Sequence, residues 1–347
     1  MTCATGLPAI LLWTAVIAAL GTADSVLAAP VYKGPKSDHF DGDTFPKHQH
    51  IGGASIWKWM LTRKPGPWKA HKNEKPGLPP PQRVTGDRLL VTFIGHSTVL
   101  IQTDGINILT DPIWSDRASP VSFAGPRRVR PPAIRFEDLP PIDVVLLSHN
   151  HYDHLDLPTL RRIQEKYKPL IVTTLGVGLL LKKKGIGPFV ELDWWQGADL
   201  PNGRRVTAVP VKHFSGRSLG DRCRTLWTGF VVDGSGGKVL FAGDTAYGPF
   251  FREIQERLGA PRLALLPIGA YRPPEIMATV HMNPPEAILA FKDLGARSGM
   301  ASHFGTFPVA DDGEEEGVNW LRQELACEEG LAARFLVPVF GEGRSVP

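Results

Sequence analysis

The sequence predicts an α/β protein in which two sheets pack face to face between outer helices, a four-layer αββα sandwich. From residue 89 onward, short apolar and β-branched runs are separated by Gly, Asp and Pro, as is typical of strands joined by turns. Strand and helix patterns occur in two successive blocks, and both blocks carry polar residues at predicted strand ends. Strand-end loops on a rigid scaffold are the usual location of catalytic residues.

The first block is predicted to hold four strands and two helices. Val144–Leu147 is an unbroken apolar run, typical of a strand that is buried on both faces. Asp156 stands where it would cap the first helix from its N-terminal side. In chain order, the predicted elements are strands Leu89–Ile94, Thr98–Gln102, Ile106–Leu109 and Val144–Leu147, then helices Pro158–Tyr167 and Gly176–Lys183.

The second block returns to strands after a polar connection. The turn-rich residues 233–237 (Asp-Gly-Ser-Gly-Gly) predict a reversal between two of these strands. A last strand is expected after Leu331. The other predicted elements are strands Val206–Val211, Trp227–Val232, Val239–Ala242 and Leu263–Pro267, with helices Phe250–Leu258 and Pro284–Leu294 around the last of these strands.

Residues 1–29 differ from the rest and predict a signal peptide or an N-terminal anchor. Leu7–Leu20 is nearly all apolar, Val26–Ala29 consists largely of small residues, and no Lys or Arg precedes Lys33. The expected location is therefore the periplasm or the exterior of the cell, or a membrane if the segment is not cleaved.

Residues 30–88 are interpreted as an extension packed on the main domain of residues 89–347. A short helix at Ile56–Lys64 combines aromatic and basic residues, so it either lies at a membrane interface or packs on the domain through Trp57 and Met60. Four histidines of this segment are expected to be solvated, namely His39, His48, His50 and His71.

The composition is that of a soluble globular domain, with 42% hydrophobic and 21% charged residues. No interior run reaches the roughly 18 to 20 apolar residues of a membrane span, and a net charge of +4 gives no reason to expect nucleic acid. Outside the predicted signal, the cysteines are Cys223 and Cys327, and the sequence leaves open whether they pair. With no cysteine near the histidine-rich run, any metal there must use nitrogen and oxygen ligands.

The chemistry is concentrated in the run His-Asn-His-Tyr-Asp-His at residues 149–154, directly after a predicted buried strand. In an extended loop, residues two apart point the same way, so His149 and His151 are expected to converge on one metal ion. Asp153 and His154 face another direction and suit a second ion roughly 3.5 to 4 Å from the first. The run therefore predicts a dinuclear metal site.

This run resembles the His-x-His-x-Asp-His signature of the metallo-β-lactamase superfamily. Further runs resemble, in the same order, the branch that contains N-acylphosphatidylethanolamine-hydrolysing phospholipase D, and the resemblance extends from Lys33 to Gly341. These runs are Gly95–Val99, Thr110–Ile113, Ser119–Pro120 with Gly125–Pro126, Gly243–Thr245, Pro267–Tyr271 and His303–Phe307.

The resemblance implies two zinc ions, although iron or manganese accepts the same ligands. The ligands that follow later in the chain each come after a predicted strand or a short apolar run. The implied ligands are His149, His151 and His213 for one ion, Asp153, His154 and His303 for the other, and Asp244 as a bridge.

Three further residues are candidates for support or catalysis. Asp111 is expected to accept the free ring N–H of a ligating histidine, and His96 to reach the same pocket; the alternatives are a turn-forming Asp and a capped loop His. By resemblance, His281 lies beside the substrate and donates to it. Asp153 and His281 are the candidate catalytic residues.

The expected reaction is hydrolysis of a phosphodiester. Zinc lowers the pKa of bound water from about 15.7 to near 7, so a hydroxide bridging two ions is the expected nucleophile. The resemblance implies an N-acylphosphatidylethanolamine substrate, a phospholipid partner and peripheral contact with a membrane. The alternatives are a soluble substrate (a lactone, a phosphorylated sugar or a nucleic acid) or metal or lipid binding without turnover. Candidates for an acyl-chain groove are Trp57, Trp59, Trp68, Trp114, Phe123, Trp194 and Trp195.

Overall fold

The computed structural model describes residues 31–46, 58–59, 61–218 and 220–347. The predicted signal or anchor at residues 1–29 lies outside the described residues. Within the described part, no helix is long and apolar enough to cross a membrane.

The first sheet contains the strand that leads into the histidine-rich run. Its strands are β1 (Leu89–Gly95), β2 (Thr98–Thr103), β3 (Ile106–Thr110), β4 (Val144–Leu146), β5 (Leu170–Thr174), β6 (Phe189–Leu192) and β14 (Gly343–Val346). They lie in the order β14-β1-β2-β3-β4-β5-β6. From β3 to β6 the neighbours are parallel, so the carboxyl ends of these strands meet at one edge of the sheet.

The second sheet is built in a similar way from later parts of the chain. Its strands are β7 (Gly197–Asp199), β8 (Arg205–Val209), β9 (Gly229–Val232), β10 (Val239–Phe241), β11 (Leu263–Pro267), β12 (Ser298–Ser302) and β13 (Phe335–Leu336). They lie in the order β13-β12-β11-β10-β9-β8-β7, and β10 to β13 run parallel.

Side-chain alternation along the strands assigns each residue to one of three apolar layers. Val144 and Leu146 point into the core between the sheets, whereas Val145 points to the outer helices of the first sheet. Leu240 points to the outer helices of the second sheet. The helices are α1 (Leu157–Tyr167), α2 (Val177–Lys183), α3 (Phe250–Leu258), α4 (Pro274–Met277), α5 (Pro284–Asp293), α6 (Glu316–Ala326) and α7 (Leu331–Arg334), with a 3-10 turn at Phe136–Asp138. The predicted four-layer sandwich is confirmed.

Some predicted element ends were wrong for identifiable reasons. Strand β8 stops at Val209 rather than Val211, since Pro210 has no N–H to donate to a ladder. Asp156 occupies the N-cap position of α1, but its side chain makes no cap bond to the helix backbone. It accepts instead from the hydroxyls of Ser115 at 2.8 Å and Thr159 at 2.5 Å. Sequence reasoning also missed β5, β6 and β7.

The segment before β1 contacts the sandwich at several points. Phe40 and Phe45 are buried in one cluster with Trp227. His39 Nε2 lies 2.7 Å from Asp193 Oδ1, and His71 Nε2 lies 2.5 Å from Glu314 Oε1. The expectation that these two histidines are solvated was therefore wrong, while His48 and His50 lie outside the described residues.

The predicted short helix at Ile56–Lys64 is described only in part. Residues 58–59 and 61–62 are helical, and Trp57 and Met60 are outside the described residues. The indole of Trp59 donates to Asp311 at 2.7 Å, and Arg63 pairs with the same carboxylate at 3.1 Å. These contacts hold this segment against the main domain.

Candidate metal centre

The predicted metal ligands come from both sheets and meet at one edge of the sandwich. The run at residues 149–154 follows β4, His213 follows β8, Asp244 follows β10 and His303 follows β12. Since β4, β10 and β12 each run parallel to a neighbouring strand, their carboxyl ends carry the ligand loops toward the same place. The structure thus brings together residues that are up to 154 positions apart in the chain.

Three imidazoles form what we call the three-histidine cluster, His149, His151 and His213. The Nδ1 atom of His151 lies 2.8 Å from His149 Nε2 and 3.2 Å from His213 Nε2. Nitrogens that bind one tetrahedral ion at 2.0–2.1 Å are about 3.3 Å apart. The three ring nitrogens therefore have the spacing of ligands to a single ion.

A second group, the carboxylate cluster, consists of Asp153, His154 and His303. Asp153 Oδ2 lies 3.5 Å from His154 Nε2 and 3.7 Å from His303 Nε2. Asp244 Oδ2 lies 3.1 Å from His154 Nε2, 3.2 Å from His303 Nε2 and 3.7 Å from His213 Nε2. Asp244 thus faces both clusters, which is the placement that a bridging ligand requires.

The unpaired atoms in this pocket fit a metal site. His154 Nε2, His303 Nε2 and Asp244 Oδ1 are buried without a hydrogen-bond partner. Such orphaned polar atoms are costly unless a ligand or ion satisfies them. In the described chain, the ion-pair partners of Asp153 and Asp244 are all histidines, and no Lys or Arg pairs with either carboxylate, so both carboxylates are available to a metal ion.

The donor set is made of nitrogen and oxygen, as expected. Cys223 and Cys327 are not joined in a disulfide, and neither lies in the groups of metal-competent residues found in the described chain. Imidazole and carboxylate ligands suit zinc, iron and manganese. The site is therefore a candidate metal centre whose ligands do not by themselves identify the metal.

Asp111 accepts hydrogen bonds that orient the candidate ligand histidines. Its Oδ2 atom accepts from His154 Nδ1 at 2.7 Å and from the Ser148 hydroxyl at 2.5 Å. The same hydroxyl lies 2.9 Å from His149 Nδ1. These contacts place the ring proton of both histidines on Nδ1 and leave Nε2 available to a metal. The contact of Asp111 with a histidine of the signature run is the one that the sequence led us to expect, whereas Ser148, which directly precedes the run, was not predicted.

His213 is oriented in the same way by the backbone. Its Nδ1 donates to the carbonyl oxygen of Val280 at 2.9 Å, which directs Nε2 into the pocket. A carbonyl carries no side-chain signature, so this partner is not visible in the sequence.

His96 and His281 both reach the pocket. His96 Nε2 lies 2.9 Å from Asp153 Oδ2, and its ring centre is 4.0 Å from that of His303. The ring of His281 is 4.9 Å from that of His213, and its buried Nδ1 has no partner. The predicted turn-like or capped-loop alternatives for Asp111 and His96 do not describe these buried contacts.

Several backbone positions at this edge are strained or tightly packed. His96, Asp111 and His303 have φ values of +57°, +32° and +58°, in the left-handed region that non-glycine residues rarely adopt. Gly243 has φ +61°, and a Cβ there would lie 2.7 Å from that of Ser148. The glycine before Asp244 is therefore required by both conformation and space.

The two clusters differ in their electrostatics. Burial lowers the pKa of His151 to about 3 and holds the pKa values of His149 and His213 well below normal. Burial acts against charge on His303 as well, but the carboxylates of Asp244 and Asp153 outweigh it and raise the pKa to about 9.

The aromatic residues predicted for an acyl-chain groove do not form one surface. Trp114, Trp194 and Trp195 pack against three different apolar clusters. Trp68 donates to the carbonyl of Asp312 at 2.9 Å, and Phe123 is 64% exposed. Trp57 is outside the described residues. The predicted groove is thus not assembled from this set.

The fold and the site define a metallohydrolase-like protein. The chain belongs to the beta-lactamase superfamily, whose domain description matches residues 106–304. The predicted superfamily is confirmed. Among solved structures, Igni18, a metallo hydrolase from the archaeon Ignicoccus hospitalis, aligns with a TM-score of 0.56 and 26% identity, covering 74% of this chain and 98% of that one.

Two relatives are similar at higher sequence identity. N-acyl-phosphatidylethanolamine-hydrolyzing phospholipase D 1 of Caenorhabditis elegans is 40% identical over 232 residues, which is 64% of this chain and 65% of that protein. The mitochondrial enzyme of the same description from Saccharomyces cerevisiae is 36% identical over 227 residues, which is 64% of this chain and 48% of that protein. The match thus spans about half to two thirds of these relatives, and their names agree with the predicted branch and with the expectation of a hydrolase.

Proposed function

We propose that this chain is a zinc-dependent phosphodiesterase that hydrolyses N-acylphosphatidylethanolamine-type phospholipids. The observation that carries the proposal is the convergence of seven imidazole and carboxylate ligands with unpartnered, buried donor atoms in one pocket. The phospholipid substrate is supported by similarity to relatives that are named for this activity.

Each residue of the pocket has a defined task in this proposal. The three-histidine cluster and the carboxylate cluster would each hold one zinc ion, and Asp244 would contact both. Bound zinc lowers the pKa of water to near 7 and neutralises charge on phosphoryl oxygens. Asp111 and Ser148 fix the tautomers of His154 and His149 through the bonds described above.

His281 is proposed to hold the substrate. It is 8% exposed, and its unpartnered Nδ1 is free to donate to a phosphoryl oxygen. Asp153 is proposed to orient the ligand set, because its Oδ2 contacts His96 at 2.9 Å and faces His154 and His303.

The proposed reaction breaks the bond between phosphorus and the oxygen of the N-acylethanolamine group. The hydroxyl of water joins phosphorus, and its proton goes to the departing oxygen. The products are phosphatidic acid and an N-acylethanolamine, so atoms and charge balance without another co-reactant.

A chelator test separates turnover from binding alone. We expect the purified protein to hydrolyse bis(p-nitrophenyl)phosphate, to lose this activity with a chelator and to regain it with Zn²⁺, with metal content measured by elemental analysis. Bound metal with no chelator-sensitive activity on any phosphodiester would favour a binding protein without turnover. Restoration by iron or manganese but not zinc would contradict the zinc assignment.

A substrate panel followed by mass spectrometry tests the lipid assignment. We expect release of phosphatidic acid and N-acylethanolamine from N-acylphosphatidylethanolamine, and His281→Ala should reduce this turnover while metal content stays unchanged. Unchanged turnover in that variant would contradict the role of His281. His39→Ala, which removes a histidine outside the pocket, is the matched control.

A soluble substrate is the second candidate, and one observation favours it. That observation is the dispersal of the tryptophans, which pack in different clusters and supply no acyl-chain groove. The cavity beside His281, of about 190 Å³, does not decide between the two candidates, because Tyr271 and Trp320 line it together with Arg272 and Glu286. If the protein hydrolyses a lactone, a phosphorylated sugar or a nucleic acid in the same panel but no lipid, the result would select this alternative.

Export remains part of the proposal. Its support is the composition of residues 1–29, and the name of the yeast relative places that protein in the mitochondrion instead. N-terminal sequencing of the protein from its native cells tests it: a chain beginning near residue 30 supports cleavage, and an intact Met1 supports an anchor or no export.

A further inference from the structure

A cavity beside the histidine-rich run of residues 149–154 is lined mainly by positively charged residues. Its volume is about 290 Å³, and Tyr152 of that run and the following Leu155 form part of its wall. The single acidic residue in its lining, Asp156, is buried and already bonded to Ser115 and Thr159. The basic residues that line it are Arg117, Arg161, Lys183, Lys184 and Arg217.

Most of these cations are not neutralised within the described chain. Arg161, Lys183 and Lys184 take part in none of its ion pairs, and Arg117 donates only to the main-chain oxygens of Ser122 and Gly125. Arg217 is buried over the ring of Tyr152 and donates to backbone carbonyls. Their charge is therefore available to a ligand.

A second cavity of the same chain has a different lining. It is lined by both acids and bases, and there Arg130 pairs with Glu74 and Glu314. The cavity beside Tyr152 differs from it, because five basic residues and one acidic residue line its wall.

Two exposed apolar side chains lie close in sequence to residues that line the cavity, Phe123 after Pro120 and Leu179 before Leu180. Phe123 is 64% exposed and follows Ser122, whose carbonyl is held by Arg117. Leu179 is 40% exposed on α2 and lies one turn before Lys183, so the two share a face of the helix. Large apolar groups beside unpaired cations are typical of a surface that enters the headgroup region of a membrane.

We propose that these residues form a docking face for the anionic surface of a phospholipid bilayer. The basic face, as we call it, consists of Arg117, Phe123, Arg161, Leu179, Lys183 and Lys184. The cations bind lipid phosphates and the two apolar side chains insert between headgroups. Nucleic acid or a free phosphate ion accounts for the cations but not for exposed Phe123 and Leu179. Docking is a binding event that stands apart from the proposed hydrolysis.

Co-sedimentation with vesicles tests the proposal on the purified, metal-loaded protein. We expect binding to vesicles of phosphatidylcholine with phosphatidylglycerol, weaker binding to phosphatidylcholine alone, and release by high salt. Each Lys near an anionic surface raises the partition coefficient onto the membrane about 5-fold. Lys183→Gln with Lys184→Gln should therefore lower that coefficient about 25-fold. Phe123→Ser should weaken it about 10-fold.

The control variant carries Lys36→Gln with Lys72→Gln, which removes the same charge at two exposed lysines outside the cavity. It should bind vesicles as the unaltered protein does, and thermal unfolding and metal content should match in all variants. Equal binding to neutral and anionic vesicles, equal losses in the control, or protection from unfolding by inorganic phosphate without vesicle binding would each overturn the proposal. None of these measurements requires turnover, so failure of docking and failure of the proposed phosphodiesterase are distinguishable.

Discussion

The three-histidine cluster and the carboxylate cluster lie side by side, yet their charge environments are opposite. The rings of His149, His151 and His213 face one another, and burial keeps their pKa values low. The rings of His154 and His303 lie between Asp153 and Asp244, whose charges raise the histidine pKa values.

This contrast suits the proposed binding of two cations that repel each other. The three-histidine cluster offers neutral nitrogen donors, whereas Asp153 of the carboxylate cluster and Asp244 supply two negative charges that would offset the charge of two ions. The charge of Asp244 raises the pKa values of His154 and His303 in the carboxylate cluster, and the same carboxylate lies 3.7 Å from His213 of the three-histidine cluster. Asp244 is therefore the residue that contacts both clusters.

Removing Asp244 should have the largest effect. Asp244→Ala should lower phosphodiesterase activity on the order of 10³-fold or more, because the loss of several kcal/mol of metal-ion stabilisation affects both clusters. Elemental analysis should show a loss of both ions, whereas His213→Ala should lose one. Asp233→Ala, which follows β9 and pairs with Lys238, is the matched control. Retention of two ions by Asp244→Ala would show that the clusters are independent.

The metal-free protein should lose stability as the pH rises. Folded His303 has a pKa of about 9, compared with 6.5 for the free side chain, so the folded chain holds this proton more tightly. This proton contributes at most about 3 kcal/mol to the free energy of unfolding. The contribution is complete below pH 6.5 and is lost as the pH rises through 9. Urea unfolding of chelated protein at pH 6.5 and 9 measures it, and His303→Gln should reduce the difference. Equal stability at both pH values would contradict the electrostatic contrast.

Asp111→Asn should have an intermediate effect. The change removes the negative charge that fixes the tautomer of His154, so metal affinity should fall about 10 to 100-fold. Titration with a competing zinc chelator measures the affinity of each site. The carboxylate cluster should weaken more than the three-histidine cluster, because Asp111 contacts His154 directly but reaches His149 only through Ser148. An equal loss of metal affinity at both clusters would contradict the expected preference of Asp111 for the carboxylate cluster.

Ser148→Ala should have the smallest effect of these changes, and it should act on the three-histidine cluster. It removes the hydroxyl oxygen that accepts from His149 Nδ1, a bond that contributes about 0.5 to 1.5 kcal/mol, so the affinity of the three-histidine cluster should fall at most about tenfold. The same chelator competition measures it, with Ser119→Ala as a control for the loss of a hydroxyl outside the pocket. A larger loss at the carboxylate cluster would mean that Ser148 acts mainly by orienting Asp111.

Much of the scaffold could be predicted because its signals are local. The unbroken apolar runs of β4, β10 and β11 each indicate burial within a few residues. Strands β5, β6 and β7 were missed, and the three residues of β7, Gly197–Asp199, are too few to carry a periodicity of their own. Pro210 shows that one residue without an N–H can end a strand inside an apolar pattern.

The motifs and apolar runs were enough to predict the superfamily, the four-layer architecture and the candidate imidazole and carboxylate ligands. The fold was needed to see which of these atoms face one another, that His96 contacts Asp153, and that Ser148 links Asp111 to His149. The fold also brings Lys183 of α2 and Arg217 together in the wall of one cavity. The physical reason is that periodicity and motif spacing are short-range, whereas a site of this kind is made by contacts between strand ends that are distant in the chain.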